Sequence, residues 1–293
     1  MMTRFLFLIA FWLSLAVPCV AQEKAGAGAV APLASVVAPS VVPHKALYKM
    51  RLGKTKASNG VAAIDGMMAF DWQDTCDGWA VQQTMQLHIS YAEGEASDIV
   101  SPAATWESKD GRSFEFQVKR LVGGEEDEAF RGRVKLDEKR KGVAHYSVPM
   151  DKKDIAINGD VVFPAAHTLM ILQKAQAGEK MFSQRVFDGA DVEGIVDISA
   201  FIGPRLERRD EATIVAELKG NPLLTEQAWP MRLAFYKPDR PDSEPDYEMA
   251  MLMQPNGIAR SISIDYADFT IEGSLVKLES YPAYTCPSGA AAQ

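Results

Sequence analysis

Cysteine is scarce in this chain, and the scarcity excludes more than it allows. Only Cys19, Cys76 and Cys286 occur in 293 residues. None lies within a few residues of another cysteine or of a histidine, the spacing that zinc sites and Cys-x-x-Cys redox centres use. Histidine is equally sparse, with His44, His88, His145 and His167 all far apart. No His-Glu-x-x-His helix, Gly-x-Ser-x-Gly elbow or glycine-rich phosphate loop is present. Basic residues are in deficit, 31 Lys and Arg against 39 Asp and Glu, which argues against nucleic acid or an anionic membrane surface as a partner. Beyond the N-terminal leader no apolar run has the about 20 residues that a membrane helix needs.

What is present begins with an export signal. Arg4 supplies a positive start, Phe5 to Val17 is apolar apart from Ser14, and Cys19-Val20-Ala21 is a small-residue cleavage site before Gln22. Residues 1–21 are therefore expected to be a signal peptide, with Pro18 standing against lipidation of Cys19. Residues 22–43, rich in Ala, Gly, Val and Pro, read as a flexible low-complexity leader. Residues 44–287 read as one domain and 288–293 as a disordered tail. Two cysteines survive cleavage, and an oxidising compartment makes Cys76–Cys286 the expected disulfide. The pair is too widely separated in sequence for a Cys-x-x-Cys type of catalytic centre, so a structural role is expected. Such a bond would tie the first strands to the last, as in a sheet that curls back on itself.

Period-2 alternation dominates the domain. Trp79, Val81, Met85, Leu87, Ile89 and Tyr91 alternate with polar residues, with one break at Gln83. Shorter versions occur at Phe114, Phe116 and Val118, at Val134 and Leu136, at Met231, Leu233 and Phe235, and at Ile262, Ile264 and Tyr266. Turn signals such as Lys109-Asp110-Gly111, Val122-Gly123-Gly124 and Gln254-Pro255-Asn256-Gly257 separate them. The pattern predicts a mainly β, antiparallel sheet that closes or curls. The proline-rich stretch 237–247 reads as a stiff hairpin connection. One segment, 164–176, has Pro at its start, helix formers inside and Gly178 beyond its end, which predicts an amphipathic helix. Ala166, Leu169, Met170 and Gln173 share one face and are expected to pack on the sheet. The helix would either plug a barrel mouth or cover an edge of the core.

These pieces together resemble the EipB-like family of Gram-negative periplasmic proteins associated with cell-envelope integrity. The likeness is carried by the export signal, His44-Lys45-Ala46-Leu47-Tyr48-Lys49-Met50, and Gly66 leading to Asp71-Trp72. Cys76-Asp77-Gly78-Trp79, the Phe163-Pro164 helix start and the terminal Cys286-Pro287 complete it. The resemblance implies a broken, spiral-like barrel of about 14 antiparallel strands with Cys76 bonded to Cys286. It also implies a non-catalytic periplasmic role and a periplasmic tetratricopeptide-repeat protein as partner.

Chemistry is otherwise hard to find. His88 and His167 read as surface or satisfied polar residues, and His44 as a candidate for an interior polar contact. The acidic run Glu125 to Glu128 reads as a hairpin tip, and the acids from Asp71 to Asp77 do not have calcium-loop spacing. No cofactor is expected. Trp79, Met85, Phe235, Met249 and Met251 are candidates for lining a cavity that would hold an amphipathic or lipid-like molecule, with core filling as the alternative reading. A periplasmic hydrolase using scattered carboxylates such as Asp71, Asp74 and Asp265 is the competing function.

Overall fold

A computed structural model describes residues 41–56, 60–151, 154–191, 193–211, 214–238, 240, 244–282 and 286. The expected signal peptide, most of the leader and the tail lie outside the described residues. Alternating side chains build the first half of the sheet: β1 (His44–Thr55), β2 (Val61–Asp74), β3 (Gly78–Tyr91), β4 (Ser97–Ser108), β5 (Ser113–Val122), β6 (Glu125–Leu136) and β7 (Gly142–Val148). Two short strands, β8 (Ile155–Ile157) and β9 (Val161–Val162), precede the helix α1 (Pro164–Gln176). The second half comprises β10 (Met181–Phe187), β11 (Ile195–Ile202), β12 (Trp229–Tyr236), β13 (Tyr247–Met253), β14 (Ala259–Asp265) and β15 (Phe269–Ser280).

The 15 strands form one sheet in the order β8-β7-β6-β5-β4-β3-β2-β1-β15-β14-β13-β12-β11-β10-β9. The expectation of about 14 antiparallel strands is met closely, with one parallel pair, β9–β10. The first and last long strands lie side by side, with His44 opposite Ser280 and Leu52 opposite Ile271. The two edge strands, β8 and β9, are consecutive in the chain. The barrel is thus closed everywhere except at one seam, where β8 and β9 each pair on one side only. At this seam Val161 N–H donates to Asn158 O at 3.0 Å, and the Arg140 guanidinium donates to Val161 O at 3.2 Å. Strands β12 and β13 pair antiparallel, so the proline-rich stretch expected at 237–247 joins neighbouring strands, with Tyr247 already in β13.

Register fixes which side chains face inward, because a slip of one residue would turn every side chain over. His44, Trp72, Val81, Thr105 and Phe116 form one row across five strands. Ala46, Phe70, Gln83, Ala103 and Val118 form the next, and Tyr48, Met68, Met85 and Ser101 the one after. The buried apolar residues do not make one continuous core. They fall into three clusters: around α1, β11 and β12; around β1, β2 and β15; and around Phe114, Phe116, Phe163 and Phe187.

Two expectations are corrected. The leader does not extend through residue 43. Val41 is 2% exposed within the cluster around α1, and Val42 N–H donates to Asn256 O at 3.0 Å, so the fold begins ahead of His44. The helix is also rotated from its expected phase. Ala165, His167, Ile171, Leu172 and Ala175 are its buried residues, while Gln173 is exposed. Its apolar residues are spread around the helix, so periodicity alone did not select the face that the walls of the barrel bury.

Candidate functional site

Helix α1 lies on the inner side of the sheet. It packs Ile171, Leu172 and Ala175 against Trp72 from one wall and Ile198, Ala200 and Trp229 from the other. The helix thus covers the inner face at one end of the sheet. Its N-terminus is held by a residue that no sequence pattern marked. Glu107, on the inner register of β4, is 3% exposed. Its Oε2 accepts the Ala165 N–H at 2.7 Å and its Oε1 accepts the Ala166 N–H at 2.9 Å. Two of the helix's otherwise unpaired first-turn amides are thereby satisfied, at the end where the helix dipole favours negative charge. Burial pushes the Glu107 carboxyl up to about 7, against the opposing pull of those two amides and of Arg140.

The same end of the barrel carries the disulfide. Cys76 and Cys286 are bonded, with Cα atoms 5.7 Å apart. Cys76 has φ of 73°, a left-handed conformation that costs a non-glycine residue about 1–2 kcal/mol and is held here by the β2–β3 turn. Asp74 Oδ1 accepts the Cys76 N–H at 2.8 Å, and Thr75 N–H donates to Gly78 O at 3.0 Å. Lys109 Nζ bridges to Asp74 at 2.7 Å and lies 4.6 Å from the centre of the Trp79 ring. Asp74, Cys76 and Cys286 come within ligand distance of one another, but both sulfurs are spent in the disulfide and are not thiolates available to a metal.

The expected cavity residues all face inward, yet they divide between two clusters. Trp79, Phe235, Met249 and Met251 pack with the α1 cluster and Met85 with the β1–β2–β15 cluster. Phe235 is buried, whereas Trp79, Met85, Met249 and Met251 are half-buried. Other inward positions near mid-strand are half-buried too, among them Val81, Gln83, Ser101, Ala103, Thr105, Val118 and Ile262. Side chains on the inner wall of a fully packed barrel would be inaccessible. Here part of the inner wall keeps contact with solvent, although Phe70 and Ile262 pack against both the α1 cluster and the β1–β2–β15 cluster. A depression of about 320 Å³ lies instead mainly on the outer side of β1–β3, around Leu47, Ala69 and Thr84, and includes none of the expected cavity residues.

Two buried polar atoms at or near α1 have no hydrogen-bond partner among the described residues, Trp72 Nε1 and His167 Nε2. The expectation that His167 would be a surface or satisfied residue is thus overturned. It is 5% exposed beside the Phe182 ring, and burial holds its imidazole down to about 4. His44 is 1% exposed, with Nδ1 2.7 Å from Val42 O, the interior polar contact foreseen for it. His88 is exposed and paired with Asp98 at 2.8 Å. The carboxylates of the hydrolase reading are not brought together. Asp71 takes the Tyr281 hydroxyl, Asp74 serves the disulfide turn, and Asp265 accepts the Ala267 N–H at the far end of the strands.

Comparison with known proteins agrees with this architecture. The family model described as EipB-like matches residues 35–282. The cell envelope integrity protein EipB of Brucella abortus (strain 2308) is 28% identical over 260 residues, covering 88% of this chain and 90% of that protein. A crystal structure of a beta-barrel-like protein of a domain of unknown function, also from Brucella abortus, superposes with a TM-score of 0.74 at 27% identity. The match covers 84% of this chain and all of that one.

Proposed function

This chain belongs to the EipB-like family, and from that membership we propose that it supports cell-envelope integrity as a non-enzymatic periplasmic protein. Its activity is to hold an amphipathic or lipid-like molecule in the barrel interior. A periplasmic tetratricopeptide-repeat protein is the partner that the family resemblance suggests. The observation that carries the ligand reading is the half-buried inner wall, lined by Val81, Met85, Met249, Met251 and Ile262, which keeps contact with solvent. Methionine is well suited to such a wall, because an unbranched thioether side chain adapts to chains of different shape. The dispersal of Asp71, Asp74 and Asp265 weighs against the hydrolase reading.

The uncharged dye N-phenyl-1-naphthylamine should bind saturably to the folded, disulfide-intact protein, with fluorescence enhancement. Ala103→Trp, which adds bulk to the inner wall of β4, should weaken that binding by about tenfold or more while leaving the fold intact. Dye binding that appears only in partly denatured protein would overturn the reading.

A further inference from the structure

The inner wall of β3 and β4 differs from the rest of the barrel. Strand β4 presents inward Ser97, Ile99, Ser101, Ala103, Thr105 and Glu107, so only Ile99 is large and apolar. Opposite Ala103 stands Gln83, the one polar residue in the inward series of β3. Gln83, Ser101 and Thr105 are half-buried, and none of the three side chains hydrogen-bonds another group among the described residues. In the same cross-strand row as Thr105 lies Trp72, 4% exposed, whose indole N–H has no acceptor among those residues. Gln83, Ser101 and Thr105 therefore offer unused hydrogen-bonding groups on a half-buried wall of mostly small side chains, whereas the Trp72 N–H is enclosed. Buried polar groups are ordinarily paired, and unpaired ones call for a partner.

Charged residues on the inward register are already engaged: Glu107 caps α1, Asp74 pairs with Lys109, Arg120 bridges Asp127 and Glu128 at a hairpin tip, and Arg260 donates to the carbonyls of Thr225, Glu226 and Gln227. An ionised carboxylate placed against the strip would lose part of its hydration and meet Arg120 only as a cation already paired with two carboxylates.

We propose that the strip of Gln83, Ser101 and Thr105 recognises the uncharged hydrogen-bonding part of an acyl compound, an ester, amide or hydroxyl next to its chain, and excludes a free carboxylate. This rests on the reading of the interior as a ligand site and specifies which ligand chemistry the site takes. The apolar chain lies along the methionine-rich wall of β13, and the ester or amide lies on β3 and β4. Gln83 and the two hydroxyls can both donate and accept, which suits a carbonyl beside a hydroxyl or N–H.

The test is displacement of N-phenyl-1-naphthylamine from the disulfide-intact protein at about pH 8 by three compounds with the same palmitoyl chain: monopalmitoylglycerol, palmitamide and palmitate. The glycerol ester and the amide are expected to displace the dye at concentrations about tenfold lower than palmitate. The double variant Gln83→Leu with Thr105→Val should remove that preference and leave dye binding itself within about threefold. Palmitate as effective as the neutral compounds would overturn the assignment, as would a preference unchanged in the double variant. Failure of the dye to bind the folded wild type at all would remove the ligand site itself, and the assignment with it. Gln83→Asn, a conservative control for fold, should retain part of the preference.

Discussion

Glu107 and His167 contribute to the pH dependence with opposite signs; Asp188, raised by burial to about 6, acts in the same direction as Glu107, and His44, lowered by burial, in the same direction as His167. Burial raises the Glu107 carboxyl from its ordinary 4.5 to about 7, so its stabilising contribution is full below about 4.5 and is lost as the pH rises through about 7. Burial lowers His167 from 6.5 to about 4, so its contribution is full above about 6.5 and is lost as the pH falls through about 4. Thermal midpoints measured from about pH 4 to 8 should therefore show His167→Leu flattening the acid side of the profile. The same substitution removes the unpaired Nε2 and should not cost stability at neutral pH. Glu107→Ala leaves two helix amides without acceptors and should cost about 2 kcal/mol or more at neutral pH. Glu107→Gln should fall between, since a single amide oxygen replaces two carboxylate oxygens. A neutral effect of Glu107→Ala would mean that the helix start is held by packing alone.

At the scale of the element, strands were easier to read than the helix. A long strand shows its buried face directly, because every second residue repeats the choice. The series from Trp79 to Tyr91 located β3 to within a residue of its start at Gly78. The helix offers apolar residues in several directions, so its existence and ends were legible but its phase was not. Leu172 is fully buried and Gln173 is exposed. Leu172→Ala should accordingly cost about 2–5 kcal/mol, whereas Gln173→Ala should change the denaturation midpoint little. Equal effects would contradict the observed orientation. Strands β8 and β9 have three and two residues, too few to show a period, and for that reason the seam could not be placed from sequence. Glu107 was equally invisible, since its role depends on a helix nearly sixty residues later in the chain. Its one signal was a charge on the inward parity of β4. The break at Gln83, by contrast, was visible as an interruption of β3, although its meaning required the neighbouring β4 wall.

For the whole molecule, the disulfide and the seam are complementary constraints. The sheet joins its first and last long strands through the β1–β15 ladder, and Cys76–Cys286 fastens the chain's end to the β2–β3 turn over a separation of 210 residues. Cross-linking a loop of that size contributes about 5 kcal/mol on the chain-entropy account. Cys76→Ser and Cys286→Ser should each lower the thermal midpoint and raise protease sensitivity while the β circular-dichroism signature persists. The double variant should resemble either single one, because each removes the same bond. Additive losses would show that the cysteines act separately.

The central claim, that the barrel holds an uncharged acyl compound rather than being filled by its own side chains, is tested most directly by native mass spectrometry of the protein expressed as the full chain in a Gram-negative host and purified without detergent. The account predicts a protein peak accompanied by one of higher mass, with the added mass released on denaturation and identified as a neutral acyl ester, amide or alcohol. A single peak at the mass of the polypeptide, from protein that also fails to bind N-phenyl-1-naphthylamine, would contradict it.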